Sequence, residues 1–528
     1  MKANLEANNC NVSKGDIDHN ISTYWENTEP ERREEVKNYL ECDVLGLREL
    51  YEKFSSNSFR DYGVNLCDYL TGSQLCYDLW RTLFLDDEVI ELPNSEMDTY
   101  FRKSIYGGRC YPNKKSFISK SYKDIIDGKI SFEDVNDYLI DGDIVSLYPH
   151  AMTFQYPVGH HLKTKEYVKN KMGIYRCEFI TNKKLLIPPI PRRDKKGLIW
   201  DLLDGQGHYT SVDIERAESV GYKFKIIDGV YWEKTAPIYK KYIETFYEKK
   251  KQATKGTPAY STAKRNLNAL YGKQIQRPIY TDQKTVRNRK ELLNIMIKNR
   301  ITDVLEITSK NWLISFEPII IDDTNKKVNK PTHQGSFILA YSRNIMWEQF
   351  ENSKGLYDMD KLFYYTDTDS IQLHVDACKK LRWGSKMGDI SNDLGHDCKI
   401  IKGIWVQPKL YMLEYISKDM KIHHHYRGAG VPMKQLEAGV YEDLLNGKTR
   451  KFSPDFQIKK NLFNYKNRRY NNGIIENSDC DFFSLYHYKN TDIDCNGRFV
   501  LEKLLGTQCY SGRDFHGNNK SYPKGYQF

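Results

Sequence analysis

The pattern of apolar and polar positions singles out an acidic turn at residues 365–370. Apolar runs flank it at residues 362–364 and 371–373. Short apolar runs on either side of a polar segment predict a β-hairpin. The bend carries Asp367 and Asp369, and two carboxylates this close repel each other unless a cation lies near them. Mg²⁺ suits such oxygen ligands, although a solvated turn rich in Asp and Thr would have the same sequence.

A helix is predicted for residues 31–54, because apolar side chains recur there at three- and four-residue steps. Tyr39 and Asp43 lie one turn apart and share a face of this helix. Taken alone, these two residues could also belong to an ordinary amphipathic helix without a function.

An antiparallel pair of helices is predicted for residues 235–273, the first starting near residue 235 and the second ending at Gly272. On the second helix, Lys264, Asn268 and Tyr271 are spaced to share one face. A lysine, an amide and a phenol on one stripe suit contacts with phosphate, with sugar or base, and with a stacked ring. A solvated polar stripe is the alternative.

A third carboxylate, Asp143, is predicted to lie on a β-strand that starts after Gly142. Pro149 suits the first position of the following helix, which would place Tyr148 on the tight turn between strand and helix. A carboxylate on a strand beside the acidic hairpin is what a two-metal site requires.

Two other short segments suit contacts with a ligand. Gly107 and Gly108 follow Tyr106, and glycines allow the backbone to approach a ligand closely, although Gly-Gly turns are common. Lys409 and Tyr411 are two residues apart, so on a strand their side chains would point to the same side.

In the rest of the chain, the sequence pattern predicts structural elements without catalytic residues and one inserted unit. Residues 173–232 alternate strands and turns, and residues 277–335 contain a helix, strands and a polar loop. A helix is predicted for residues 336–350. Residues 455–470 mix basic and aromatic side chains, which suits either tracking of a nucleic-acid backbone or a charged outer helix.

Composition narrows the function classes. The 528 residues suffice for about three domains, and the formal net charge of +10 favours a polyanionic partner. The 11 cysteines include no Cys-x-x-Cys pair, which indicates a reducing intracellular compartment and no zinc site. No apolar run is long enough to predict a membrane span, and the N-terminus lacks the pattern of a signal peptide.

Four of these segments, in this order, resemble the motifs of family B DNA polymerases. Residues 143–149 resemble motif A, residues 264–272 motif B, residues 365–370 motif C, and residues 409–411 the Lys-x-Tyr motif of the primer-terminus site. Ala269 stands where motif B usually has serine. The resemblance covers roughly residues 36–500.

Two features resemble the protein-primed subgroup, which starts replication from the hydroxyl of a terminal protein. One is the segment Tyr106-Gly107-Gly108-Arg109, which is similar to the linker motif of that subgroup. The other is the long insertion between motifs B and C, which would correspond to the region linked to terminal-protein contact and strand displacement.

The spacing of Tyr39 and Asp43 resembles the third motif of a 3′–5′ exonuclease. The first two exonuclease motifs should lie well upstream, and residues 1–38 contain neither. We therefore expect this chain not to proofread unaided, and to be a fragment, the product of a split gene or a degenerate copy.

The resemblance assigns a role to each motif residue. Catalysis and the binding of two Mg²⁺ ions fall to Asp143, Asp367 and Asp369. The incoming nucleotide would contact Lys264, Asn268, Tyr271, Tyr148, Leu147 and Ser146, with the Tyr148 ring excluding a ribose 2′-hydroxyl. The primer and template would contact Lys409, Tyr411, Thr368, Ser370, Tyr106, Gly107 and Gly108.

The implied architecture is an α+β right hand with an antiparallel palm sheet. Its expected parts are an exonuclease remnant (1–75), linker motif and first palm part (76–234), fingers (235–275), insertion (276–335), second palm part (336–414) and thumb (415–528). The implied function is DNA-directed DNA polymerase, with template-primer DNA, deoxynucleotides and a terminal protein as partners and without a membrane partner.

Two alternatives remain. Reverse transcriptases and RNA polymerases typically have adjacent aspartates, whereas Thr368 separates the pair here. The other alternative is a catalytically inactive remnant that only binds nucleic acid or a partner.

Overall fold

The computed structural model describes most of the chain between residues 30 and 452. The described residues are 5–6, 8, 10–12, 30–194, 197–255, 257–277, 281–308, 311–319, 330–352, 362–429, 431, 433–448, 451–452, 480–481, 509–513 and 519–523. A search of the helices in this part of the chain finds none with the length and apolar character that crossing a membrane requires.

Both helices and strands occur along these residues. The helices are α1 (Pro30–Tyr62), α2 (Gly72–Leu79), α3 (Ser95–Arg102), α4 (Tyr122–Ile126), α5 (Leu147–Ala151), α6 (Ser211–Ser219), α7 (Lys240–Gln252), α8 (Pro258–Gln274), α9 (Arg289–Met296), α10 (Thr332–Asn352) and α11 (Ala438–Leu445). The strands are β1 (Cys110–Pro112), β2 (Ser116–Ile118), β3 (Leu139–Ile144), β4 (Tyr156–Thr164), β5 (Met172–Ile180), β6 (Arg192–Asp194), β7 (Gly197–Ile199), β8 (Gly205–Thr210), β9 (Lys223–Ala236), β10 (Asp282–Val286), β11 (Asn299–Thr308), β12 (Asn311–Pro318), β13 (Phe363–Asp367), β14 (Ser370–His374), β15 (Ile390–Asn392), β16 (Lys399–Gln407), β17 (Leu410–Ile416), β18 (Ile422–Gly428), β19 (Lys451–Phe452), β20 (Cys480–Asp481), β21 (Cys509–Arg513) and β22 (Asn519–Pro523).

The largest sheet is antiparallel and brings distant parts of the chain together. Its main path runs β1-β13-β14-β3-β16-β17-β18, while β15 pairs with β3 and β2 pairs with β16. Strand β3 therefore lies beside β14, more than 200 positions later in the chain. Gly142 permits this close packing, because a methyl group added there would lie 3.0 Å from Ile390 Cγ2.

Helix α10 fills the core beneath this sheet. The sequence predicts a helix at residues 336–350, and the structure confirms it and extends it to Thr332–Asn352. Phe337, Trp347 and Phe350 are fully buried in the same core cluster as Phe363 of β13. The helix thus supports the strand that leads into the acidic turn.

Helices α7 and α8 form the expected antiparallel pair. The Tyr242 hydroxyl of α7 donates to the Asn266 carbonyl of α8 at 3.1 Å, and the Thr257 side chain caps α8. The expected start of the first helix near residue 235 was wrong, because β9 continues to Ala236 and α7 begins at Lys240. Backbone pairing with β4 holds this stretch extended.

A second sheet has the order β4-β9-β5-β8 and carries helix α6 against it. The alternation predicted for residues 173–232 gives β5 and β9 as strands but misses α6, and β4 lies before this range. Thr210 caps this helix by accepting a hydrogen bond from the Asp213 backbone N–H. The mixed polar sequence of the helix hides this start signal.

The insertion between α8 and α10 has a core of its own. Strands β10, β12 and β11 form a three-stranded sheet covered by α9, and β10 adds a strand that the sequence pattern does not reveal. Arg102 donates to the carbonyls of Ile275 and Gln276 on one side and contacts the Thr332 hydroxyl on the other. The two ends of the insertion therefore meet at one side chain. Its polar loop falls largely outside the described residues.

Helix α1 confirms the helix expected at residues 31–54 and continues to Tyr62. Its apolar stripe is only partly buried, however: Leu50 is buried, but Leu40, Val44 and Leu47 are each more than half exposed. The periodicity predicted the helix correctly but not the burial of that face.

The expected domain boundaries stay predictions. Of the expected thumb at 415–528, the structure describes β18, α11 and a few short strands. The basic and aromatic segment at residues 455–470 lies outside the described residues.

Candidate active site

The acidic turn is a β-hairpin, as predicted. Asp367 ends β13 and Ser370 begins β14, so Asp369 lies in the two-residue turn between them. Thr368 adopts the left-handed conformation with φ of 63°, and the Asp369 N–H donates to the Asp367 carbonyl at 2.7 Å. This turn places two carboxylates at the end of a rigid hairpin.

The structure brings Asp143 directly beside this turn. Asp143 lies on β3 opposite Ser370 of β14, and the Ile144 N–H donates to the Asp369 carbonyl at 2.8 Å. Burial, followed by the nearby Asp369 carboxylate, raises the pKa of Asp143 to about 8. Burial also raises the pKa of Asp369. Burial therefore disfavours the ionised form of both groups, and the Asp369 carboxylate adds to this effect at Asp143.

The donor set fits a hard divalent cation, which prefers oxygen ligands and would stabilise the ionised carboxylates. The third carboxylate, Asp367, is ion-paired with Lys409, whose Nζ lies 2.7 and 2.6 Å from its two oxygens. In this arrangement, the described residues contain no group of three or more His, Cys, Asp or Glu side chains set to hold a metal. Recruiting Asp367 as a ligand requires Lys409 to move.

The turn after β3 differs from its expected form. Ser146 has a φ of 56° and precedes a helix that begins at Leu147. Pro149 is therefore the third helical residue, not the first, and Tyr148 lies inside the first turn. The Tyr148 ring stacks on the Tyr271 ring with their centroids 4.0 Å apart and an interplanar angle of 11°.

A cavity of about 540 Å³ opens between β3, α5 and the helices α7 and α8. Its lining combines acidic, basic and aromatic side chains: Asp143, Ser146, Leu147, Tyr148, Lys250, Lys264, Asn268, Tyr271 and Asp369 are among them. The structure thus gathers every residue expected to contact a nucleotide around one space. Ala263, Leu267 and Leu270 of α8 are buried.

A second cavity of about 650 Å³ lies on the other side of the carboxylates. It is lined by Asp143, Tyr148, Tyr271, Asp367, Thr368, Asp369, Ser370, Lys409 and Tyr411, among others. Four of these residues line both cavities, namely Asp143, Tyr148, Tyr271 and Asp369. The two spaces therefore meet at the carboxylates.

Lys409 does not lie on a strand, contrary to expectation. It occupies the turn before β17 with a φ of 60°, and its backbone N–H donates to the Tyr365 hydroxyl at 2.9 Å. Tyr411 does lie on β17, with its ring centroid 4.8 Å from that of Tyr365. The turn, not strand alternation, brings Lys409 to the cavity.

The segment at residues 106–109 packs against the acidic turn. The Thr368 N–H donates to the Arg109 carbonyl at 2.6 Å, and a methyl group added at Gly108 would lie 3.0 Å from Thr368 Cα. Tyr106 was expected to contact DNA, but its ring is only 2% exposed and stacks on Tyr209. Within this segment, Gly107 is exposed and Gly108 is half-buried.

Tyr39 and Asp43 are not part of this arrangement. Both are half-buried on α1, and neither lines the two cavities. Their expected link to an exonuclease stays a prediction.

Sequence reasoning missed several residues that line the cavities: Asp141, Lys250, Asp393 and Arg427. Lys250 is half-buried, and burial together with Lys264 lowers its pKa. Its position in a run of three lysines concealed it. Asp141 is buried, and its pKa is raised to about 7 by that burial. Its spacing from Asp143 does place both on one face of β3, a signal that was available.

Comparison with known proteins shows the family to which this chain belongs. Residues 13–355 match the family of type B DNA polymerases described as organellar and viral. Similar curated proteins include probable DNA polymerases of Ascobolus immersus (26% identity, 71% of this chain) and Agaricus bitorquis (24% identity, 82% of this chain). The chain spans only 29% and 54% of the length of these two relatives, respectively.

Among solved structures, the chain is similar to Phi29 DNA polymerase complexed with primer-template DNA and incoming nucleotides. The TM-score is 0.59 at 18% identity, and the match covers 83% of this chain and 73% of that one. At this identity the likeness establishes the fold, and it confirms the expected α+β right hand. With the family match covering more than half of its residues, this chain belongs to the organellar and viral type B DNA polymerases.

Proposed function

We propose that this chain catalyses the template-directed transfer of deoxynucleotides to a primer 3′-hydroxyl. The observation that carries the proposal is the meeting of two cavities at Asp143 and Asp369. One cavity has the side chains that a triphosphate needs, and the other has those that a primer end needs. In the reaction, the primer 3′-oxygen bonds to the α-phosphorus while the bond to the leaving pyrophosphate breaks.

Phosphoryl transfer of this kind uses divalent metal ions, and we propose two Mg²⁺ ions held by Asp143, Asp367 and Asp369. When bound, the ions would neutralise charge on the attacking and leaving oxygens. The raised pKa of Asp143 and Asp369 supports this assignment, because burial disfavours their ionised forms and a bound cation would stabilise them. Lys409 would exchange its contact with Asp367 for the phosphate of the primer end.

The nucleotide cavity suits a deoxynucleoside triphosphate. Lys250 and Lys264 place two ammonium groups where a triphosphate would add negative charge. The Nζ of Lys250 lies 3.4 Å from the Ser146 hydroxyl, beside the carboxylates. The stacked rings of Tyr148 and Tyr271 form the wall nearest to the sugar and base. We assign the exclusion of a ribose 2′-hydroxyl to Tyr148.

The second cavity suits the primer terminus and the template strand. Lys409, Tyr411 and the exposed Arg427 line it, and positive charge beside aromatic rings favours single nucleic-acid strands. The structural neighbour was solved with primer-template DNA and incoming nucleotides. These observations support DNA and deoxynucleotides as the partners of this chain.

Priming by a terminal protein's hydroxyl is the finer proposal. It rests on the insertion between α8 and α10, which has its own core and whose two ends meet at Arg102. Such a unit offers a surface for a partner without disturbing the site.

The reducing intracellular compartment proposed from the cysteines accords with the unpaired thiols among the described residues.

Single-nucleotide extension of a recessed primer tests the activity. The purified chain is given Mg²⁺ and one deoxynucleotide at a time, on templates that differ only in the first unpaired base. We expect incorporation of the complementary nucleotide alone. Extension that ignores the template base would overturn the proposal, and DNA binding without any extension would favour the inactive remnant.

A further inference from the structure

We propose that the buried ion pair between Arg343 and Asp213 is a positioning unit for the acidic turn at residues 367–369. The inference rests on the proposed function, because it assigns to the pair a role in turnover. The pair joins helix α10 to helix α6 of the second sheet, a region whose sequence predicts only scaffold. Its effect would reach the site through residues 106–109.

The pair is fully buried and its charged groups are closely matched. The side chains of Arg343 and Asp213 are 2% and 3% exposed. Arg343 Nη2 lies 2.8 Å from both carboxylate oxygens, and its Nε donates to one of them at 3.1 Å. The Thr210 hydroxyl donates to the carboxylate at 2.9 Å. Breaking one member would leave a buried charge without its partner, which is costly.

Arg343 uses its remaining nitrogen to hold the segment that supports the turn. Its Nη1 donates to the backbone carbonyl of Tyr106. The Tyr106 ring in turn stacks on Tyr209 of β8, with the ring centroids 5.2 Å apart. The start of the segment is therefore fixed both by the ion pair and by the second sheet.

Arg109 fixes the other end of the same segment. Its buried guanidinium donates to the carbonyls of Pro188 and Pro189 at 2.8 and 3.0 Å, and it lies 4.2 Å from the centre of the Trp200 ring. Its own carbonyl accepts the N–H of Thr368 at 2.6 Å. The residue between Asp367 and Asp369 is thus tied to a segment anchored at both ends.

A displacement of the Tyr106 backbone would consequently displace the acidic turn as well. Gly108 lies so close to Thr368 that even a methyl group would meet it at 3.0 Å, which leaves little room for the segment to move without the turn. Phosphoryl transfer depends on placement, and a misplacement of about 1 Å can cost about 100-fold in rate. A merely structural pair would change stability alone.

The chain offers a matched control on the same two helices. Arg216 of α6 pairs with Glu351 and Glu348 of α10 at 2.9 and 3.2 Å. It bridges the same elements but its ion pairs do not touch residues 106–109. Arg343→Lys keeps the charge but loses the planar fork that reaches both Asp213 and the Tyr106 carbonyl. Arg216→Lys makes the same chemical change without that consequence.

The test compares steady-state primer extension by the full chain and its Arg343→Lys, Asp213→Asn and Arg216→Lys variants. We expect Arg343→Lys and Asp213→Asn each to lower kcat by about tenfold or more, with the KM for deoxynucleotide changed by less than about twofold. The double variant should lose little more than either single one, because the pair acts as a unit. Arg216→Lys should keep kcat within about twofold.

Hydrogen exchange at residues 363–374 gives a second readout that needs no activity. We expect faster exchange of the Thr368 amide in Arg343→Lys and in Asp213→Asn, but not in Arg216→Lys. If Arg343→Lys fails to fold, Asp213→Asn tests the inference instead, because asparagine retains a hydrogen-bond acceptor. Equal kcat and equal exchange in the pair variants and the control would overturn the inference. Absence of extension by the wild type would instead overturn the proposed function, and exchange would still decide the positioning role.

Discussion

At the scale of single residues, neighbouring side chains of the same type have different surroundings. Lys250 is half-buried in the nucleotide cavity, where burial and Lys264 lower its pKa. Lys251 is exposed and lies 3.5 Å from Glu248. Sequence reading treats these two lysines alike, because nothing in a run of three lysines tells which one faces the cavity.

Replacing each of these lysines should separate their roles. We expect Lys250→Ala to raise the KM for deoxynucleotide by about tenfold, since one charge-assisted phosphate contact contributes about 1.5 kcal/mol. Lys251→Ala should change the KM by less than about twofold, as expected for an exposed ion pair. Steady-state titration of the deoxynucleotide at saturating primer measures both. A larger effect at Lys251 would refute the assignment.

The pKa of Asp143 is raised to about 8, so the Mg²⁺ concentration that the reaction requires should depend on pH. A cation binds the ionised carboxylate, so binding releases a proton below that pH. We expect the Mg²⁺ concentration for half-maximal extension to fall as the pH rises to about 8 and then to level off. The same shift means that the cation-free protein loses stability as the pH rises from about 4 to about 8. A Mg²⁺ requirement that does not vary with pH would contradict this account.

At the scale of elements, the strand pairing decides what the motif residues can do. Pairing of β3 with β14 sets Asp143 beside Asp369, and the turn after β16 delivers Lys409 to Asp367. The sequence pattern predicted the hairpin, a strand at Asp143 and the polar face of α8, because each depends on local spacing. The expected start of that strand after Gly142 was wrong, since β3 begins at Leu139 and runs through Gly142. It could not predict the left-handed turn at Lys409 or the burial of Tyr106, which depend on contacts with distant residues.

The two glycines of the segment behind the acidic turn provide a test at this scale. A methyl group at Gly108 would press on Thr368, whereas one at Gly107 would meet nothing within 4 Å. We expect Gly108→Ala to lower kcat by about tenfold or more, because it displaces the turn. Gly107→Ala should have the smaller effect on kcat. Single-turnover extension at saturating deoxynucleotide measures both, and equal rates would argue against close coupling of segment and turn.

At the scale of the whole molecule, the fold consists of a polymerase core and an insertion with its own core. The resemblance of four ordered motifs to those of family B DNA polymerases implied the right-hand architecture, which the comparison with solved structures confirms. Composition and periodicity could not reveal that α1 leaves Leu40, Val44 and Leu47 exposed. A helix pattern reports the period of apolar residues but not what covers them.

Removal of the insertion tests its independence. Its ends meet at Arg102, so a short Gly-Ser linker in place of residues 278–329 should close the gap without strain. We expect the shortened chain to fold and to extend a DNA primer with kcat within about tenfold of the full chain, since distant, independent parts contribute additively. Thermal unfolding and primer extension measure this. Loss of folding would mean that the insertion belongs to the core.

The measurement that tests the central claim most directly is single-turnover incorporation by the wild type, Asp143→Asn and Asp376→Asn. Asp143 lies where the two cavities meet, whereas Asp376 follows β14 and its side chain is 56% exposed. We expect Asp143→Asn to lose about 1,000-fold or more in rate, because the proposed metal ions would lose a carboxylate ligand, and Asp376→Asn to retain the wild-type rate. Equal rates for wild type and Asp143→Asn would contradict the account.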